Sequence, residues 1–166
     1  MENMTIYVTS GIGMGKTLLA AFDAALKKAG VYNFNLITLS SVVPPKSEIK
    51  FRKFKTKLED WGNKLYVVKA EIRSRQSGMY IGAALGWYQL NDGRGVFVEH
   101  EEIAETMDAV KSNLEKEVYD SLRDLCKFRG FKIIEKNLKM KMCISKVIDQ
   151  PTSVLVIANY KSEKWD

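Results

Sequence analysis

Helices alternating with a larger number of short strands are what this sequence predicts: an α/β chain of the α+β kind, with much antiparallel pairing. Three observations carry that expectation. Segments with a helical apolar period are separated by short runs of β-branched and aromatic residues. Glycines and prolines punctuate the boundaries between them. A length of 166 residues, 46% hydrophobic and 28% charged, suits one domain, 1–166, that can bury a core.

Ile6-Tyr7-Val8 is a strand candidate, followed by the glycine-rich turn Ser10-Gly11-Ile12-Gly13-Met14-Gly15. A helix is expected from Thr17 to Ala29, with Leu18, Phe22, Leu26 and Ala29 on one face and Gly30 ending it. Asn33 to Leu39 reads as a second strand, stopped by Pro44-Pro45, which cannot continue pairing inside a sheet. Leu65 to Ile72 reads as a strand, and Gly78 to Leu90, with glycines at 78, 82 and 86, as a closely packing helix. Gly95 to Glu99 is a further strand. Glu101 is expected to open a long helix whose buried stripe is Met107, Val110, Leu114, Val118, Leu122 and Leu125. Glu101, Glu102 and Glu105 would then sit at the positive end of its macrodipole. Phe131 to Lys136, Met140 to Ile148 and Val154 to Asn159 complete the expected strands.

Composition excludes several classes. No apolar run reaches the roughly 18 to 20 residues that span a bilayer, so no membrane partner is expected. The start, Met1 to Thr5, shows neither a basic nor an apolar leader region, which makes the cytoplasm the default compartment. Cys126, Cys143 and His100 are too few for a disulfide framework or a zinc site, so no metal is expected; His100 reads as a surface residue at a strand end. The net charge of +6 is concentrated: ten Lys or Arg face four acids between Lys46 and Arg75, leaving 16 of each sign elsewhere. Phe51, Phe54, Trp61 and Tyr66 interleave with that charge, a pattern that could suit a nucleic-acid strand, although charge runs of this size are usually a solvated stretch beside a strand. No nucleic-acid partner is assigned.

Two loops carry candidate chemistry. Gly11 to Thr17 lies between a strand and a helix, as a phosphate-binding loop must, with Lys16 and Thr17 placed for phosphate and magnesium and Val96-Val98 before Glu99 as an apolar run ending in an acid. Ser10 stands where that motif requires glycine, so a plain glycine-rich turn is the competing reading. The second loop is Ser40-Ser41, between a strand end and the rigid Pro44-Pro45. A serine hydroxyl held against the preceding carbonyl can attack it, given strain and a stabilised oxyanion. The ester on Ser41 then eliminates to dehydroalanine, which hydrolyses to an N-terminal pyruvoyl group.

Gly13-x-Gly15 with Thr17, Ala21-Phe22-Asp23-x-Ala25-Leu26, Ala29-Gly30, Asn33-x-Asn35-Leu36-Ile37, Ser40-Ser41 and Pro44-Pro45 together resemble the pyruvoyl-dependent arginine decarboxylase family. The resemblance is dense over residues 8 to 49 and collinear to about Tyr160. It implies a four-layer αββα sandwich and a proenzyme cleaved into chains 1–40 and 41–166. It also implies arginine as substrate, agmatine as product, a place in polyamine biosynthesis, and a homotrimer or dimer of trimers with sites at subunit interfaces. On this resemblance Ser41 supplies the covalent pyruvoyl cofactor, whose carbonyl forms a Schiff base and acts as the electron sink. Glu99 becomes the proton donor; as a bare residue it is only a charge before a helix. Asp23 becomes the guanidinium partner, although an ion pair with Lys27 explains it equally. Asn35 lies near the pyruvoyl group, and Leu26 and Tyr32 on the substrate side. Six residues at about 3.3 Å each separate Asn35 from Ser41 along an extended strand, so one site needs either a sharp bend or a neighbouring subunit.

Overall fold

The computed structural model describes residues 3–166; Met1 and Glu2, part of the segment read for a leader, lie outside it. Nine strands and two long helices run in the order β1 (Met4–Met14), α1 (Leu18–Ala29), β2 (Asn35–Thr38), β3 (Val42–Val43), β4 (Ser47–Phe51), β5 (Lys64–Ser74), β6 (Tyr80–Gln89), β7 (Gly95–Ala104), α2 (Met107–Phe128), β8 (Lys139–Lys146) and β9 (Thr152–Glu163). One sheet has the strand order β2-β5-β9-β1-β4, the other β3-β7-β6-β8. Five of the seven pairings are antiparallel; β1 with β4 and β2 with β5 are parallel.

The two sheets meet through a dry layer that includes Ile6, Val8, Val68, Ala70, Leu85, Phe97, Val154 and Val156. Each side chain of that size contributes about 1.5 to 3 kcal/mol when fully buried. Helix α1 covers the outer face of the first sheet through Ala25, Leu26 and Ala29 against Leu65, Val67, Leu155 and Ile157. Helix α2 covers the second through Val110, Leu114, Val118, Leu122 and Cys126. The layers are therefore α, β, β, α, the sandwich that the family resemblance implies.

Glycine explains the largest departures from the sequence reading. Strand β1 runs straight through the glycine-rich segment, with Gly11 opposite Leu155 and Gly13 opposite Ser153 on β9. A Cβ on Gly11 would lie 2.1 Å from the Ala25 carbonyl oxygen, and one on Gly13 2.2 Å from the Ala25 nitrogen. These glycines let α1 settle onto the strand, which is why its buried face is Ala21, Ala25, Leu26 and Ala29 rather than one led by Leu18 and Phe22. The phosphate-loop reading of Gly11–Thr17 is thereby overturned, because Gly11 to Met14 are extended strand paired with β9 rather than a loop curled around an anion. Thr17 is the N-cap of α1, its side chain accepting from Ala20 N at 3.0 Å.

The same effect misleads at Gly78 to Leu90, which forms strand β6 and not a helix. Gly82 and Gly86 share a strand face, and a Cβ there would lie 2.5 Å from Val110 and 2.3 Å from Val118 on α2. Spacing of four residues fits one face of either element. Strand β7 also outruns expectation, pairing with β6 as far as Ala104. Glu101 and Glu102 are thus strand residues, Glu105 precedes the Thr106 cap, and Met107 is half exposed rather than part of the buried stripe. Phe131 to Lys136 is not a strand; Tyr88 pins it by donating to Lys132 O and accepting from Ile134 N, each at 3.1 Å.

Gly13→Ala is expected to destabilise the chain by about 1 to 3 kcal/mol or more, the range for overpacking, while Lys16→Ala at an exposed position changes little. Urea midpoints of both variants decide this; equal midpoints would remove the close helix approach as the reason for Gly13.

Candidate active site

The double serine is where the chain changes sheets. Leu39 still bonds to the first sheet, its N–H donating to Val67 O at 2.8 Å, whereas Val42 already pairs with Val96 of β7 in the second. Ser40 and Ser41 bridge the gap. Ser41 adopts φ 71°, a left-handed conformation that costs a non-glycine residue about 1 to 2 kcal/mol. Neighbours hold it there: Phe97 N–H donates to Ser41 O at 2.8 Å, and the Tyr160 hydroxyl donates to Val42 O at 3.1 Å. Strain of this kind persists only where the surroundings over-determine it.

The Ser41 hydroxyl donates to Glu99 Oε1. Glu99 sits in mid-β7, opposite Leu85, at the rim of the inter-sheet core. Desolvation pushes its carboxyl above the ordinary value of 4.5, an effect that the hydrogen bond from Ser41 only partly offsets. Tyr160 is half-buried beside it; burial and the neighbouring carboxylate both raise the phenol, so it remains a donor at neutral pH. Its ring centre lies 6.2 Å from that of Phe97. Tyr160 is the site residue that sequence reasoning missed, since nothing local distinguishes it from a core aromatic. His100 is also corrected: it lies within β7, half-buried, with Nε2 2.8 Å from Ser121 Oγ on α2.

The other expected site residues share no hydrogen bond with this cluster among the described residues. The Asn35 side chain donates to Gly62 O at 2.7 Å, an oxygen that also accepts from Trp165 Nε1 at 2.8 Å. Asp23 is exposed on α1, and the expected Lys27 ion pair is absent among the described residues. Leu26 is buried under α1 at 7% exposure, and Tyr32 follows the helix with Lys27 Nζ 5.8 Å from its ring centre. None of four cavities, about 250 to 730 Å³, is lined by Ser41 or Glu99.

Among known proteins, the family description "pyruvoyl-dependent arginine decarboxylase" matches residues 5–164, nearly the whole chain. The chain belongs to the pyruvoyl-dependent arginine decarboxylase family. Relatives carrying that name include one from Picrophilus torridus, 35% identical over 64% of this chain and 61% of its own length. Another, from Thermoplasma volcanium, is 34% identical over 67% of this chain and 62% of its own. A third, from Halobacterium salinarum, is 36% identical over 57% and 58%. The matched segments thus span about three-fifths of these relatives. Pyruvoyl-dependent family membership implies a covalently bound pyruvoyl group; in this chain Ser41 combines a positive φ with a hydroxyl that donates to the Glu99 carboxyl. No helix is long and apolar enough to cross a membrane, and no metal-binding cluster is found among the described residues.

Because folded Glu99 holds its proton to a higher pH than in the unfolded chain, its contribution to stability is greatest below the unfolded value and declines as pH rises through the raised folded one. Wild type is therefore expected to lose stability relative to Glu99→Gln as pH climbs from about 4.5 towards neutrality. Urea midpoints of the pair across that range check the sign.

Proposed function

We propose that this chain cleaves itself between Ser40 and Ser41 and then decarboxylates arginine to agmatine. The observation that carries the proposal is the contact between a strained Ser41 hydroxyl and the half-buried Glu99 carboxyl at the sheet crossover. Membership of a family named for both the group and the substrate supports it.

In processing, Ser41 Oγ bonds to the Ser40 carbonyl carbon and the Ser40–Ser41 C–N bond breaks, the hydroxyl proton ending on the freed nitrogen, while the Glu99 carboxyl orients the hydroxyl by accepting its hydrogen bond. Loss of the Ser41 Cα proton expels the Ser40 carboxylate, and hydrolysis of the resulting enamine releases ammonia. Phe97 and Tyr160 hold the carbonyls that follow Ser41, so the hydroxyl stays aimed while the bond changes. The pyruvoyl group supplies an electron-withdrawing carbonyl to which the substrate amine can add, so that carbon dioxide can leave. Glu99, kept protonated to higher pH by desolvation, holds a proton at Oε1 beside that position and delivers it after carbon dioxide departs.

Asp23, Leu26, Tyr32 and Asn35 serve the same site from a neighbouring subunit. The roughly 20 Å that an extended strand would put between Asn35 and Ser41 supports a site completed by assembly into a trimer or dimer of trimers. In cyclic oligomers such head-to-tail contacts repeat around the ring. Asp23, exposed and unpaired, offers a carboxylate with both oxygens free to a planar guanidinium.

Intact mass under denaturing conditions should show chains 1–40 and 41–166 for wild type and one chain for Ser41→Ala. A single uncut wild-type chain after prolonged incubation would falsify the processing step. Glu99→Gln is expected still to be cleaved into two chains while decarboxylation falls by about 100-fold or more, the scale of a lost general acid.

The shared site predicts complementation. An Asp23→Asn protein refolded together with Ser41→Ala should regain part of its activity, and Asp23→Asn alone should chiefly raise KM for arginine. No recovery in verified mixed oligomers places the whole site within one subunit.

A further inference from the structure

The basic segment is not absorbed by the decarboxylase site. Strand β4 pairs with β1 only as far as Val8 opposite Phe51, so β1 from Thr9 onward has no strand on that edge. A cavity of about 430 Å³ opens there, lined by Val8, Thr9, Ser10 and Phe51 together with Lys28, Arg52, Lys53 and Lys141. Four cations and no acid line it. They come from three separate places, the end of α1, the chain after β4, and β8 of the other sheet. Among the described residues none of the four forms an ion pair. Lys28 complements the negative end of α1, but Arg52, Lys53 and Lys141 have no such explanation. Lys141 Nζ stands 5.6 Å from the Phe51 ring centre, at the mouth shared by both sheets. A second cavity, lined by Tyr7, Arg52, Lys53, Phe54 and Lys55, shares two of the cations.

A second observation points to a ligand. Thr9 is only 8% exposed, and its Oγ1 has no hydrogen-bond partner in the protein. A buried hydroxyl left unpaired costs about 1 to 3 kcal/mol, so a donor of this kind beside four uncompensated cations is poised for an acceptor. A cationic guanidinium is repelled from such a place, which separates it from the arginine site.

We propose that this cavity is a binding site for a small diphosphate, whether inorganic pyrophosphate or the diphosphate of a nucleotide. The charge matches: a pyrophosphate carries several negative charges and many acceptor oxygens, enough to engage Lys28, Arg52, Lys53 and Lys141 at once, with Thr9 in the lining beside them. Single phosphate fills less of the space and neutralises fewer cations. Binding relieves the mutual repulsion of the four side chains, so the folded chain gains stability with ligand concentration.

The test is calorimetric titration of the full chain with pyrophosphate, ADP and inorganic phosphate at constant ionic strength set with sodium chloride, beside thermal melts. Saturable one-to-one binding of pyrophosphate or ADP, at least tenfold tighter than phosphate, is expected; whichever of the two binds tighter names the source. Arg52→Gln with Lys53→Gln should weaken it at least 30-fold. Thr9→Val should weaken it about tenfold while leaving the ligand-free melting temperature unchanged or higher, because it removes an unsatisfied hydroxyl at nearly constant shape. Thr9→Ser, which keeps the hydroxyl, should bind as wild type, and the Arg52 and Lys53 double variant carries the test if the valine variant does not fold. Binding that follows ionic strength alone, or that is unchanged in Thr9→Val or in the Arg52 and Lys53 double variant, overturns the site. So does a single-stranded oligonucleotide that binds where pyrophosphate does not.

Discussion

The dry contact between the inner faces of the two sheets is the constraint on which the rest of the molecule depends. Strands β5, β9 and β1 on one side and β6 and β7 on the other present Val68, Ala70, Val154, Val156, Ile6 and Val8 to Ile81, Leu85 and Phe97. Because both partners are apolar across the whole layer, any polar group at its rim loses solvent without gaining a full set of partners. Glu99 is such a group, and the rise in its pKa follows from where the layer ends. The chain must also cross this layer to supply an edge strand to each sheet. Ser40 and Ser41 occupy the crossing, and the need to satisfy Leu39 on one sheet and Val42 on the other holds Ser41 at positive φ.

Charge divides the surface into places of opposite sign. Lys28, Arg52, Lys53, Lys55 and Lys141 gather around the end of β4 with no acids lining their cavities, whereas Asp23 stands free on α1. The proposed guanidinium and anion contacts would therefore fall in places of opposite local charge, which the net charge of +6 does not reveal. Elsewhere charge is locally paired: Lys64 with Glu163, Arg123 with Glu135 and Asp120, and Lys116 with Asp120. Those pairs are mostly exposed and contribute little to stability.

Much of the architecture was legible, and the largest misses share one cause. The helical stripe Val110, Leu114, Val118, Leu122 appears in the sequence because α2 packs by one face and its period is undisturbed. Strands β5, β8 and β9 are legible as compact apolar or β-branched runs. Gly11, Gly13, Gly82 and Gly86 defeated local reading because their role is to remove a Cβ facing another element, and that element is invisible in the local sequence. The same local pattern fits a phosphate loop in one place and a helix in the other. Val42–Val43 and Ser47–Phe51 were missed for a related reason: edge strands this short carry no period of their own and exist because a neighbour offers a partner.

The sequence by itself determined the layered α/β class, the family, the double serine and the excess of charge between Lys46 and Arg75, since each is carried by residue identity and spacing along the chain. Only the tertiary structure decided that Ser41 meets a carboxyl 58 residues away, that Tyr160 locks the next carbonyl, and that Lys141 joins Arg52 and Lys53 around an unpaired Thr9 hydroxyl. The reason is physical. A residue's chemistry depends on the solvent and charges around it, and in a two-sheet sandwich these are set by strands brought together across the core, whose register no local stretch of sequence encodes.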